Sequence, residues 1–495
     1  MPRHPHPKHA KSAKNTKSTK HSKYSKFTKF LPSLLIIIIC ALAFYDVVTT
    51  PALSGMTKFF ISLMLLGGCG LVLQKQLNLE GEWGMLLLRY YKGIELIDKI
   101  ARMNRALWKG FADFGLVLGF GVASYFLFKK KERNLKLYSL SLVALALIAL
   151  FVLPLVLPVA FSVISFPPDI VSEFKTSSAA NASVAGFHLL QVALILILML
   201  GGLCTIGVAG LLLKGLSVAV ALIQTLLWNK EALSSTAPGA TFLLPGINLP
   251  LFEGIVALAV LLVVHEVSHG ILARVGNVKL KSSGIVLFGI LPMGAFIDPE
   301  EKELQKKERT IQYRVLVAGS TGNFVVAVFG FALLAVFLSV QGNFQDDIVR
   351  ISGIYAQPAL GNLTVGSTLL EVNGVKLHGI AQYYNISANW QPNQTVALLT
   401  SNGARTITTN GEGKLGFFLE QPYRAGFLWL GPLYNIIALV FVLNFLVGSV
   451  NLLPLPMFDG HRIVSLAVND EKKMGYLTAL IIVLFLLNFL PWVWQ

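Results

Sequence analysis

The stretch "LAVLLVVHEVSHGILARVG", Leu258 to Gly276, decides the fold. Its run of Leu, Val and Ile is fit to cross a membrane, yet two histidines and a glutamate stand at its centre, with no other charge between Glu253 and Arg274. An ionisable residue in hydrocarbon costs roughly 2.5–3.5 kcal/mol on insertion scales, so a cluster of such groups requires a reason. On a helix, His265 and His269 project from one face one turn apart, and both imidazoles reach a single metal ion. Glu266 adjoins the first of them. From there it takes a proton from water activated on the ion and later passes it to a leaving amine. On a soluble helix the same pattern reads more often as two surface histidines. Inside an apolar span that reading leaves three unfavourable groups unexplained.

The rest of the chain supplies the membrane. Of 495 residues, 54% are hydrophobic and only 13% charged, more apolar surface than the core of a soluble domain of this size uses, so part of it must face lipid. The composition therefore identifies a polytopic α-helical membrane protein. About 20 helical residues cross the hydrocarbon, and runs of that order lie near 30–49, 58–74, 137–165, 186–211, 212–228, 254–275, 311–340, 426–450 and 474–494. About nine transmembrane helices are expected, with Lys214-Gly215 as the turn that divides 186–228. The segment 113–128 has basic residues on both flanks, which both want the cytoplasm, and reads as re-entrant or interfacial.

The formal charge of +16 is uneven. Residues 1–29 hold Arg3, eight lysines and no acid, with Lys at every third position from Lys8 to Lys29. This spacing builds no apolar face and reads as a disordered tail that adheres to anionic headgroups of the lipid bilayer. No structured partner accompanies it, so no nucleic-acid partner is expected. The next run, "LPSLLIIIICALAFYDVVTTP" from Leu31 to Pro51, lacks a clear cleavage site and reads as a first transmembrane helix rather than a signal peptide. Cys40, Cys69 and Cys204 all lie in apolar runs and suit small buried hydrophobes better than disulfides.

Lys/Arg asymmetry puts the N-terminus, 75–136, 276–310 and 451–473 in the cytoplasm, and 166–185 and 341–425 outside the cell membrane. Four Asn-x-Ser/Thr sequons, at Asn181, Asn362, Asn385 and Asn393, all fall in segments assigned outside. The insert near 345–420 departs from lipid-like composition, with Gly, Asn, Thr and alternating short apolar runs, and reads as a small β-rich domain with a tight turn at Asn373-Gly374.

A catalytic zinc takes three protein ligands and keeps one open position. The best candidate for the third ligand is Asp459, in "NLLPLPMFDGH" from Asn451 to His461, where two prolines and a glycine break the helix at membrane depth. Such backbone is tolerated only inside protein or beside a watery cavity. His461, two residues on, is a competing donor.

Taken together, these motifs resemble those of the site-2 proteases, intramembrane zinc metalloproteases. "HEVSHG" matches the family's HExxH, "GSTGN" from Gly319 to Asn323 its GxxxN, and "NLLPLPMFDG" its NxxPxPxxDG. The insert, through "PAL…VGSTLLEVNGVKL" from Pro358 to Leu377, resembles a PDZ domain, again in the family's order. The resemblance implies one catalytic Zn2+ held by His265, His269 and Asp459, with Glu266 as general base and Asn323 reaching substrate or the developing oxyanion. It also implies that "GIVLFGILPMGAFIDPEE", Gly284 to Glu301, is a membrane-dipping β-loop that pairs with an unwound substrate. Ser320, Phe458 and His461 depart from the residues common in the family, though none is a proposed ligand.

The expected organisation is a disordered basic cytoplasmic tail (1–29), an N-terminal transmembrane region of unassigned role (30–230), a protease core (245–340), an extracytoplasmic PDZ-like domain (345–420), and C-terminal transmembrane helices with the third ligand (426–495). The expected activity is zinc-dependent endopeptidase cleavage in or near transmembrane segments of a membrane-protein substrate. A metal or proton transporter and a non-catalytic scaffold with a PDZ-like domain are the alternatives. The lack of internal duplication and the single fixed cluster weigh against transport.

Overall fold

The computed structural model describes residues 18–53, 55–90, 93–128, 134–147, 150, 184–236, 238–240, 243–354, 358–411 and 413–494. Among these residues, eight helices are long and apolar enough to cross a membrane. Most of the expected 137–165 span lies outside the described residues, which reach only Leu147 and Leu150 there. The chain divides into two compact units, 1–94 with 281–298, and 95–280 with 299–495.

The first unit holds α1 (Ser18–Thr49), α2 (Gly55–Leu77), β1 (Met85–Tyr90), β2 (Leu280–Phe288) and β3 (Leu291–Pro299). Helix α1 begins at Ser18, so residues 18–29 of the expected disordered tail are helical, while 1–17 lie outside the described residues. The expected β-loop forms the β2–β3 hairpin, and β1 extends it to a three-stranded sheet in the order β1-β2-β3. The β1–β2 register is antiparallel from Met85 opposite Phe288 to Tyr90 opposite Ser283. Gly289 turns this hairpin at φ +59°, where a side chain would strike the Leu66 carbonyl of α2.

The second unit contains α3 (Gly93–Met103), α4 (Arg105–Phe120), a 3-10 turn (Gly121–Leu127), α5 (Leu135–Leu147), α6 (Val184–Leu227), α7 (Leu251–Val275), α8 (Glu301–Gln305) and α9 (Arg309–Gln341). Helix α9 is the hub. Every residue from Val315 to Phe324 is buried, because α7, α11 (Leu430–Val450), α4 and α12 (Asp459–Val468) all pack against this helix. Helix α13 (Glu471–Trp494) packs on α6.

Two expectations are corrected in this unit. The segment read as re-entrant, 113–128, belongs to the helical run Arg105–Leu127, which is long and apolar enough to span. Helix α4 packs in the interior, where Asp113 takes a bidentate ion pair from Arg314 of α9, at 2.7 and 3.0 Å. In 186–228 two helical segments meet, as expected, but the kink between them, within α6, falls at Gly202 (φ 66°, ψ −163°) and not at Lys214-Gly215.

The break in α6 meets the end of α4. Gly121 adopts φ 55°, and a side chain there would strike the Met199 carbonyl; a side chain at Gly202 would strike the Gly119 carbonyl in return. Carbonyls freed by the breaks are taken by hydroxyls: Ser124 donates to Gly121 (2.6 Å), Tyr138 to Val122 (3.0 Å) and Thr205 to Gly201 (3.0 Å). Irregular backbone among apolar helices persists only when satisfied in this way.

The insert forms a six-stranded sheet from β4 (Val349–Ile354), β5 (Thr368–Val372), β6 (Val375–Lys376), β7 (Thr395–Thr400), β8 (Gly403–Thr408) and β9 (Phe417–Glu420), with α10 (Ile380–Ser387) beside them. The order is β8-β7-β5-β4-β9, with β6 paired to β5 through the Asn373-Gly374 turn, both of whose residues have positive φ. Alternate residues such as Val349, Ile351, Leu369, Val396 and Leu398 build its own apolar core. Its two ends leave side by side: Asp346 N–H donates to the Pro422 carbonyl (2.8 Å) and Arg424 N–H to that of Phe344 (2.9 Å).

Gly202 and Gly210 lie on the same helix but differ in surroundings, since a side chain at Gly210 meets nothing within 4 Å. Gly202→Ala should destabilise the protein by at least about 1–2 kcal/mol through its left-handed backbone, whereas Gly210→Ala should be neutral or stabilising by up to about 1 kcal/mol. Thermal unfolding of the two variants in micelles checks this contrast.

Candidate metal centre

The α7 helix carries His265 and His269 past its midpoint, one turn apart, with His265 only 8% exposed. Their Nε2 atoms lie 3.1 Å apart. Asp459 Oδ2 lies 3.3 Å from His265 Nε2 and 3.1 Å from His269 Nε2. These residues come from α7 and from the first turn of α12, 190 residues further along the chain. Among the described residues they form the cluster of side chains suited to a metal ion.

The geometry fits zinc. Ligands about 2.0–2.1 Å from a tetrahedral ion lie about 3.3 Å from one another, close to the separations here. Each ligand also has its other side provided for. His269 Nδ1 donates to the Val315 carbonyl of α9 at 2.7 Å, which leaves Nε2 with its lone pair turned to the cluster. His265 Nδ1 lies 3.2 Å from the amide of Asn323, which is fully buried. When Nε2 is given to an ion, Nδ1 carries the proton and needs an acceptor. The Asn323 amide oxygen, buried and without another hydrogen bond among the described residues, fills that role when the amide is turned over. Asn323, assigned by resemblance to the substrate, thus sits behind His265.

Asp459 is delivered by a folded-back loop. After α11 ends, the chain turns back over Asn451 to Phe458, with Leu452, Leu453 and Leu455 buried and Met457 exposed, and the Gly460 N–H donates to the Asn451 carbonyl at 2.7 Å. A side chain on Gly460 would strike the Leu452 carbonyl, so the glycine next to the ligand permits the fold-back. The helix N-terminus favours the carboxylate there. His461 turns away, with Nε2 3.2 Å from the Thr478 hydroxyl of α13.

Gly319 makes the cluster sterically possible. A side chain there would strike both His265 and His269, and one at Gly322 would strike the Ser268 hydroxyl. The two imidazoles therefore lie on bare α9 backbone. The role of Val315 was not legible in the sequence, because its contribution is a backbone carbonyl. Glu266, next to His265, is partly exposed beside the cluster.

Residues 253–490 match the sequence model of Peptidase family M50, and that region holds all the residues just described. This part of the chain is similar to the M50 peptidases. An uncharacterized protein of Methanocaldococcus jannaschii is 28% identical over 219 residues, which cover 43% of this chain and 57% of that protein. The chain thus spans little more than half of that relative's length, and the M50 match leaves residues 1–252 outside it.

Gly319→Ala should abolish stoichiometric metal binding, since the added methyl occupies the space of both imidazoles. Asn323→Ala should weaken metal affinity about 10- to 100-fold, as is usual when the partner of a ligating histidine is removed. Metal content by mass spectrometry and competition with a chromogenic chelator measure the two effects.

Proposed function

We propose that the protein is a zinc-dependent intramembrane endopeptidase that hydrolyses peptide bonds in or near transmembrane segments of other membrane proteins. The observation that carries this reading is the convergence of His265, His269 and Asp459 on one point in a helical membrane domain of the M50 family. A bound zinc ion would supply Lewis-acid activation of water and of the scissile carbonyl. Glu266 takes the proton from the attacking water and delivers it to the leaving amine nitrogen as the carbon–nitrogen bond breaks. Val315 and Asn323 hold the two imidazoles in orientation throughout. The buried helices around α9 keep bulk water from the site.

Substrate must reach the site extended, because a helix hides its carbonyls. The β3 strand pairs only with β2 among the described residues, and its outer edge offers main-chain hydrogen bonds to such a segment. The β-rich insert, PDZ-like in this reading, lies outside the cell membrane and acts as a filter against substrates with large external domains. Transport would make use of the broken helices at Gly121 and Gly202. The carbonyls of Gly121, Val122 and Gly201 are already hydrogen-bonded to hydroxyls, which leaves them poorly suited to coordinate a passing ion.

Reconstitution with a single-span substrate tests the mechanism. Glu266→Gln should retain zinc and lose cleavage by about 100-fold or more, whereas Asp459→Ala should lose both. Cleavage by Glu266→Gln at the wild-type rate overturns the assignment. The adjacent ends of the insert make its removal, 347–421, a conservative excision. It should raise cleavage of untrimmed substrates relative to trimmed ones, and an unchanged ratio removes the filter role.

A further inference from the structure

A second polar site lies away from the metal cluster. A cavity of about 160 Å³ opens where the start of α4, the end of α7 and the start of α9 meet. A buried water needs only about 10–15 Å³ on this measure, so the cavity admits a polyatomic group. Arg105, Lys109 and Arg314 line it together with Asn277, Leu272 and Ile311, and no carboxylate lines it among the described residues. The three cations are not equivalent. Arg314 is neutralised by Asp113. Arg105 donates from Nη2 to the Asn277 side-chain oxygen at 3.0 Å, a neutral partner that fixes the guanidinium without cancelling its charge. Lys109 stands one helical turn from Arg105 on the same face of α4. Two uncompensated positive charges thus border a cavity of this size.

Depth narrows the ligand. The lining residues lie in the first turns of α4 and α9 and around the last turn of α7, and the helical runs they belong to, Arg105–Leu127, Arg309–Phe344 and Leu251–Val275, are long and apolar enough to span. The ends of spanning helices lie at headgroup level, where the abundant anion is a phosphate ester. Cationic pockets between helices at this level, on the side rich in Lys and Arg, suit anionic headgroups. Its wall is also close to the metal support, because Arg314 immediately precedes Val315, whose carbonyl accepts from His269. We propose that this cavity binds a phosphate group held by Arg105 and Lys109, and that the occupied site ties α4 to the ends of α7 and α9.

The phosphate has two possible sources, an anionic phospholipid or a soluble phosphate, and one experiment separates them. The full chain in neutral detergent is titrated with short-chain phosphatidylglycerol, with phosphatidylcholine, and with inorganic phosphate against chloride at matched ionic strength, and thermal unfolding is followed. The same titrations are run on Arg105→Gln/Lys109→Gln and on the charge-conserving Arg105→Lys/Lys109→Arg. The basic N-terminal segment is common to all three proteins, so the differences among them report on the cavity alone. A saturable rise in the wild-type melting midpoint with phosphatidylglycerol but not phosphatidylcholine assigns a lipid headgroup; a rise with inorganic phosphate alone assigns a soluble ligand. In either case the half-saturating concentration should increase roughly fivefold for each cation removed, and the charge-conserving variant should behave as wild type. No saturable shift with either phosphate source overturns the proposal, as does a neutralised variant that responds like wild type. If that double variant does not fold, Lys109→Gln alone should show the fivefold increase, and its absence overturns the proposal equally.

Discussion

The close approach of α7 and α9 is the constraint on which the rest depends. Two imidazoles need room to converge on one ion, and here they find it because α9 presents Gly319 and Gly322 where they and Ser268 press. The same contact brings the Val315 carbonyl and the Asn323 amide to the outer nitrogens of the rings. Helix spacing, ligand orientation and tautomer are thus set at one interface. A side chain at Gly319 would disturb all three together.

That interface sits among helices in which several polar groups are paired. Arg314 is paired with Asp113, the carbonyls freed near Gly121 and Gly202 accept from hydroxyls, and the loop to Asp459 folds back through Gly460. In an apolar setting each unpaired group would cost several kcal/mol, so these arrangements hold the irregular backbone that the chemistry requires. Positive charge at the helix ends, on Arg105 and Lys109, is of another kind, since it borders a cavity with no carboxylate in its lining among the described residues.

Catalytic and accessory parts are separable in the chain. The M50 match spans 253–490 and encloses the β-rich insert, whose ends leave side by side, so a folded domain is added between α9 and α11 without parting them. Among the described residues of the second unit, α4 packs directly on α9, and α6 on α13. Helices α4 and α6 are therefore structural partners of the helices of the M50 region.

The sequence by itself determined the membrane class, the His265–Glu266–His269 motif and the Asn373-Gly374 turn. Each of these is local, carried by residues within a turn of helix or by composition over a window. What only the tertiary structure decided depends on pairing across long separations. The choice between Asp459 and His461 turned on which side chain faces α7, and His461 faces Thr478 of α13 instead. The 113–128 segment looked re-entrant because flank charge cannot reveal that Asp113 meets Arg314 201 residues away. Strand β1 is too short to announce itself and forms because β2 offers an edge. The break in α6 falls at Gly202 because that is where α4 crosses it, a meeting that no window on either helix records.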